Sequence, residues 1–132
     1  MLDRLRRALE DEADVMYALV FGTAARDARR PDSDVDIALE LQPGAPRDPR
    51  ALGRIVAALE SASGLPVDLV LLDEAPAPLA YRVFRDGQLL LERSHAALTA
   101  RKARAILDYL DFQPLEARCA EGVLRAARLR GR

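Results

Sequence analysis

Residues 15–21 read Val-Met-Tyr-Ala-Leu-Val-Phe, an unbroken and partly β-branched apolar run that stops at Gly22. Such a run fits a buried strand, and the glycine marks its end. Glycine also lets a ligand approach the main chain closely. Thr23 adds a hydroxyl or an N-cap, and Ala24 to Arg30 suit a short helix whose N-terminus favours anions. The turn is thus a place for a triphosphate, and Arg26, Arg29 and Arg30 lie beside it.

A second strand is expected over Val35-Asp36-Ile37-Ala38-Leu39-Glu40-Leu41, where apolar residues at odd positions alternate with small or acidic ones, the pattern of a half-buried strand. Asp34 and Asp36 then share a face. Side chains two apart are separated by roughly 6 to 7 Å along a strand, so both carboxylates can converge on divalent cations about 3.5 to 4 Å apart. Ligation by oxygen alone suits Mg²⁺, with Mn²⁺ as the alternative.

Asp68 lies inside the otherwise apolar run Leu65-Pro66-Val67-Asp68-Leu69-Val70-Leu71-Leu72. A lone charge there is costly to bury unless it is paired or bound to metal. If this strand neighbours the one carrying Asp34 and Asp36, three carboxylates meet, and Asp68 is placed to bind a cation and take a proton from an attacking hydroxyl.

Taken together, Gly22-Thr23-Ala24-Ala25-Arg26, then Ser33-Asp34-Val35-Asp36, then Asp68 in a later strand resembles the G-S-x-A-R, S-D-x-D and D pattern of the DNA polymerase β-like nucleotidyltransferase superfamily. The chain length and the segments Pro78 to Gly87 and Tyr109 to Phe112 are similar to the minimal nucleotidyltransferases of the MntA antitoxin type. The resemblance implies that Gly22, Thr23, Arg26 and Ser33 hold ATP, that Asp34, Asp36 and Asp68 bind Mg²⁺ and carry the catalysis, and that AMP is transferred to a tyrosine of a cognate HEPN-domain toxin. Thr23 stands where the family usually has Ser and keeps the hydroxyl. Asp27 stands where Gly is common, and its charge must point away from a triphosphate or be neutralised by the neighbouring arginines.

The 132 residues are enough for one domain that buries a little over two-thirds of its unfolded surface. Cys119 is the only cysteine and His95 the only histidine, which leaves no disulfide and no Cys/His zinc cluster. No apolar run reaches the ~18 residues of a membrane span, and the charged start Met1 to Arg7 is unlike a signal segment, so a cytoplasmic protein is expected. A net charge of −1 gives no overall field for nucleic acid.

The periodicity predicts a helix near residues 2 to 13 through Leu2, Leu5, Ala8 and Leu9, and another from Asp48-Pro49 to about Ser63, stopped by Gly64, with Leu52, Ile55, Val56 and Leu59 inward. A short helix over Pro76 to Asp86, closed by Gly87, and a last strand at the sheet edge over Gln88 to Glu92 follow from the pattern. Ser94 is the expected cap of a helix through Tyr109 with Leu98, Ala105, Ile106 and Tyr109 on one side, and a separate last helix begins at about Pro114. The pattern gives an α/β (α+β) fold class, a small mixed β-sheet with helices packed on it and C-terminal helices from about 94 as a surface for the sheet or a partner, and the resemblance implies that residues 1–132 form one nucleotidyltransferase domain.

Asp32, Asp34 and Asp36 also mimic the opening of a calcium-binding EF-hand loop. Ile37 at its sixth position and Pro43 at its twelfth exclude it. No Lys or second Gly follows Gly22 in P-loop spacing. Tyr81 and Tyr109 are expected to pack, His95 to sit at a helix start, and Cys119 to be a small helix residue. Two rival functions remain at this level: an antitoxin that acts by binding alone, and a small-molecule nucleotidyltransferase, which usually needs an added helical domain to grip its acceptor.

Overall fold

A computed structural model describes residues 1–22 and 34–130, with side chains as far as residue 112. In it the apolar run becomes β1 (Val15–Phe21), buried along its whole length. β2 (Val35–Leu41), β3 (Val67–Leu71) and β4 (Gln88–Glu92) complete one sheet in the order β3-β2-β1-β4. β1 is antiparallel to both of its neighbours, whereas β2 and β3 are parallel. Parallel neighbours need a crossover. Here it is α2 (Pro49–Ser63), which begins after Asp48 with Pro49 in its first turn and ends at Gly64, whose φ of 73° only a residue without Cβ adopts freely.

Helices cover both faces of the sheet. On one face, Leu5 and Leu9 of α1 (Leu2–Glu10) and Ile55 and Leu59 of α2 pack on Ala18, Val20, Ile37 and Leu39. On the other, Ala80 and Val83 of α3 (Ala77–Asp86) and Ala105 of α4 (His95–Arg130) pack on Tyr17, Leu19, Phe21 and Ala38. The ladder shifts register between Val15 and Tyr17, which breaks the strict alternation and sends both Met16 and Tyr17 to the second face.

α1 is too short to be stable alone. Burial of Leu5 and Leu9, on the order of 2 kcal/mol each, holds it to the sheet. Its C-terminal end is closed from a distance by Arg93, whose guanidinium donates to the carbonyls of Glu12 (2.7 Å), Val15 (2.6 Å), Glu10 (2.8 Å) and Leu9 (3.4 Å). A cation at that end of a helix also suits its dipole.

Three expectations are corrected. β2 is not half-buried: Val35, Ile37, Ala38, Leu39 and Leu41 are all buried, because α3 and α4 close the face that alternation left to solvent. The C-terminal region is one helix, α4, instead of two, since Pro114 withdraws one backbone donor without ending it. Ile106 is exposed, at 38%, while Ala105 beside it is buried. As expected, Ser94 caps α4, its Oγ accepting from the Ala97 N–H at 3.1 Å, and β4 is an edge strand.

Candidate active site

The sheet brings the proposed carboxylates together through register. Asp36 lies opposite Phe21 in the β1–β2 pair and opposite Asp68 in the β2–β3 pair. Asp36 shares its face of β2 with Ala38, and Asp68 shares its face of β3 with Val70, both of which belong to the cluster under α3 and α4. The two carboxylates therefore emerge on the same face, where β1 leaves the sheet and β2 and β3 enter it. Asp34, one residue before β2, is exposed, as is Asp68, while Asp36 is half-buried.

Charge and burial act together on Asp36. Its partial burial, then Asp68, then Asp34 push its proton affinity above the usual carboxylate range, and the guanidinium of Arg82 pulls it back. Arg82 lies in α3, and sequence reasoning passed over it; only the packing of that helix on the second face brings it near β2.

Gly22 stands against the same carboxylate. Its φ is +74°, and a Cβ at this position would overlap Asp36 Oδ2. Two separate constraints, the left-handed backbone and the absent space, thus demand glycine where the strand gives way to the turn. Of the residues expected to contact the nucleotide, Gly22 lies against Asp36, and Thr23, Arg26 and Ser33 lie outside the described residues, as do Asp27, Arg29 and Arg30.

The donor chemistry fits a hard divalent cation such as Mg²⁺ or Mn²⁺: oxygen only, with mutual repulsion on Asp36 that a cation would relieve. Among the described residues, no three His, Cys, Asp or Glu side chains already form a ligand group. Asp34, Asp36 and Asp68 are electrostatic neighbours instead of a closed cage.

Other titratable groups of the second face serve the scaffold. Glu40, two strand positions beyond Ala38, receives Arg101 Nε of α4 at 2.7 Å. The buried Tyr17 hydroxyl lies beside this pair and finds no hydrogen-bond partner among the described residues, and burial followed by the charge of Glu40 raises its pKa well above the ordinary phenol value. Tyr81 and Tyr109 stack with ring centroids 4.0 Å apart and planes 5° from parallel, which fastens α3 to α4. His95 pairs with Glu92 at 2.6 Å, on the exposed start of α4.

A family model described as polymerase beta, nucleotidyltransferase matches residues 3–96. The architecture also matches solved structures. One is a toxin-antitoxin crystal structure with AMP-PNP, at 22% identity over 93% of this chain and 98% of that one, with a TM-score of 0.78. Another is an MntA–HepT toxin-antitoxin crystal structure, at 22% identity, 93% and 96% coverage and a TM-score of 0.71. A third is a tri-AMPylated Shewanella oneidensis HEPN toxin in complex with MNT antitoxin, at 22% identity, 94% and 99% coverage and a TM-score of 0.72. At these identities the likeness establishes the fold. No curated protein sequence matches the chain.

Proposed function

The chain belongs to the polymerase beta nucleotidyltransferase family, and from that premise we propose that it is an antitoxin that transfers AMP from ATP to a tyrosine hydroxyl of a cognate HEPN-type toxin. The observation that carries this reading is Asp36 facing Asp68 across β2 and β3, with Asp34 beside them and the Gly22 main chain against Asp36.

In this mechanism Asp34, Asp36 and Asp68 would hold Mg²⁺. A bound divalent cation supplies charge neutralisation on the phosphates and makes the acceptor hydroxyl more acidic. Gly22 leaves the main chain open to the phosphate chain, and Thr23, Arg26 and Ser33 complete the nucleotide contacts. Asp68, exposed at the start of β3, orients the tyrosine hydroxyl and accepts its proton. The phenolic oxygen forms a bond to the α-phosphorus, the bond from that phosphorus to the bridging oxygen breaks, and pyrophosphate leaves with that electron pair.

A protein acceptor is supported by the surface of α4. Leu107 is 59% and Leu110 55% exposed, and with Ile106 they form an apolar stripe at helical spacing. Such a stripe suits a helical protein partner more than a small-molecule acceptor. No described helix is long and apolar enough to cross a membrane, and a cytoplasmic setting agrees with a toxin-antitoxin pair. The same stripe would serve an antitoxin that acts by binding alone, and one experiment separates the two. ATP labelled at the α-phosphate should label the HEPN-type partner, and ATP labelled at the γ-phosphate should not. A stable complex that gains no α-label would leave binding as the whole function.

A further inference from the structure

Among the described residues, Arg82 has no partner that gives it a structural role. It sits in α3 between Ala80 and Val83, which are buried against the sheet, but its own side chain is exposed. Among the described residues it makes no hydrogen bond, and no carboxylate oxygen lies within 4.0 Å of it. Nearby arginines are committed: Arg85 forks onto Asp86 at 3.0 and 2.9 Å, and Arg101 reaches Glu40 at 2.7 Å. Arg4, Arg7 and Arg50 also lack such partners, but they belong to α1 and α2, whose buried residues cover the opposite face of the sheet.

Geometry puts Arg82 on the acidic side of the sheet: Ala80 and Val83, which flank it in α3, pack in the cluster that holds Ala38 and Val70, the next residues along the faces of Asp36 and Asp68. The Arg82 charge acts on Asp36 from α3, against the charges of Asp68 and Asp34. It does so without reaching salt-bridge distance, so a gap separates the guanidinium from the carboxylates. A phosphate group is the ligand that completes such an arrangement. Its oxygens carry charge on all sides, so a phosphate held through cations on the carboxylate side still presents oxygens to the α3 side, where a planar five-donor fork matches them.

We propose that Arg82 is a nucleotide-binding residue that donates hydrogen bonds to the phosphate chain of ATP from the α3 side, opposite Asp34, Asp36 and Asp68. The inference rests on the nucleotidyltransferase reading and adds a residue to it. It also gives α3 a functional role besides covering the sheet: the helix brings a cation to the mouth of the site, 46 positions after Asp36 in sequence and on a different element.

Calorimetric titration with Mg-AMP-PNP, which gives a binding readout without turnover, tests this on the full chain. Arg82→Gln should weaken binding by roughly tenfold or more, the scale of a lost charge-assisted hydrogen bond, and Arg82→Lys should recover part of it. Log Kd should also depend less steeply on salt in Arg82→Gln than in the unaltered chain. A melting curve without nucleotide identifies a merely structural role: unchanged Mg-AMP-PNP affinity in Arg82→Gln overturns the proposal, whether or not the melting temperature falls. If the unaltered chain itself fails to bind Mg-AMP-PNP, the nucleotide reading of the whole site falls, and this inference with it.

Discussion

Asp36 and Asp68 occupy directly opposed positions on the parallel strands β2 and β3. Like charges so placed oppose sheet formation, and Asp34 adds to the load on Asp36. A fold selected only for stability has no reason to keep this arrangement.

Removing the charge of Asp36 should therefore stabilise the protein while stopping its chemistry. Asp36→Asn is expected to raise the metal-free melting temperature at pH 7 by about 2–5 °C, the effect of a change on the order of 1 kcal/mol in a chain of this size. AMP transfer should fall by at least about 10²-fold. The sign follows from the raised pKa. The folded state disfavours the charged carboxyl, so the penalty is complete above the raised value and is relieved as pH falls through it toward the ordinary 3.8. The stabilisation by Asp36→Asn should shrink over that same interval, which melting curves at stepped pH would show.

Gly22→Ala meets both a left-handed backbone and an occupied space. The backbone alone costs about 1–2 kcal/mol, and displacement of the Asp36 carboxylate adds to it. Thermal melting should fall, and Mg-nucleotide affinity should fall too, because the methyl group displaces a residue of the site. A variant that melts normally and binds normally would show that Gly22 does not touch Asp36 as described.

Arg93→Ala should act on stability alone. It removes the donors that close the end of α1, and a loss on the order of 1–2 kcal/mol is expected. Hydrogen exchange should quicken in α1 before it does in the sheet. Transfer activity measured well below the melting temperature should stay within about twofold of the unaltered chain, because the residue belongs to the face away from the carboxylates.

Tyr17→Phe should cost less than about 1 kcal/mol, since among the described residues the buried hydroxyl has no hydrogen-bond partner that the substitution would strand. Arg101→Ala should cost more, because it leaves Glu40, whose side chain is 13% exposed, without its partner. Chemical denaturation of the two variants side by side gives the ranking.

Most of the framework could be read from local pattern. The run ending at Phe21, the alternation from Val35 to Leu41 and the stop at Gly64 are strong signals because backbone geometry imposes their periods and breaks. The acidic residues stood out for a different reason: Asp68 interrupts an apolar run, where a buried charge would be costly, although the structure leaves it exposed and places it by strand register instead. What local pattern did not show depends on which helix covers which face. The alternation in β2 is the same whether the Ala38 side faces water or α3, and nothing near Arg82 in sequence reveals that its helix will carry it toward Asp36. The pairing of Glu40 with Arg101 joins residues 61 positions apart. Ile106 shows the same limit, for helical spacing places it near the buried Ala105, but α4 presents it to solvent.

The most direct measurement of the central claim is the intact mass of the HEPN-type partner after incubation with Mg-ATP and either the unaltered chain or the Asp34→Asn, Asp36→Asn double variant. The partner should gain AMP with the unaltered chain and remain unmodified with the double variant, although both chains still fold and bind it. Equal modification by the two would contradict the account, for the chemistry would then not depend on these carboxylates.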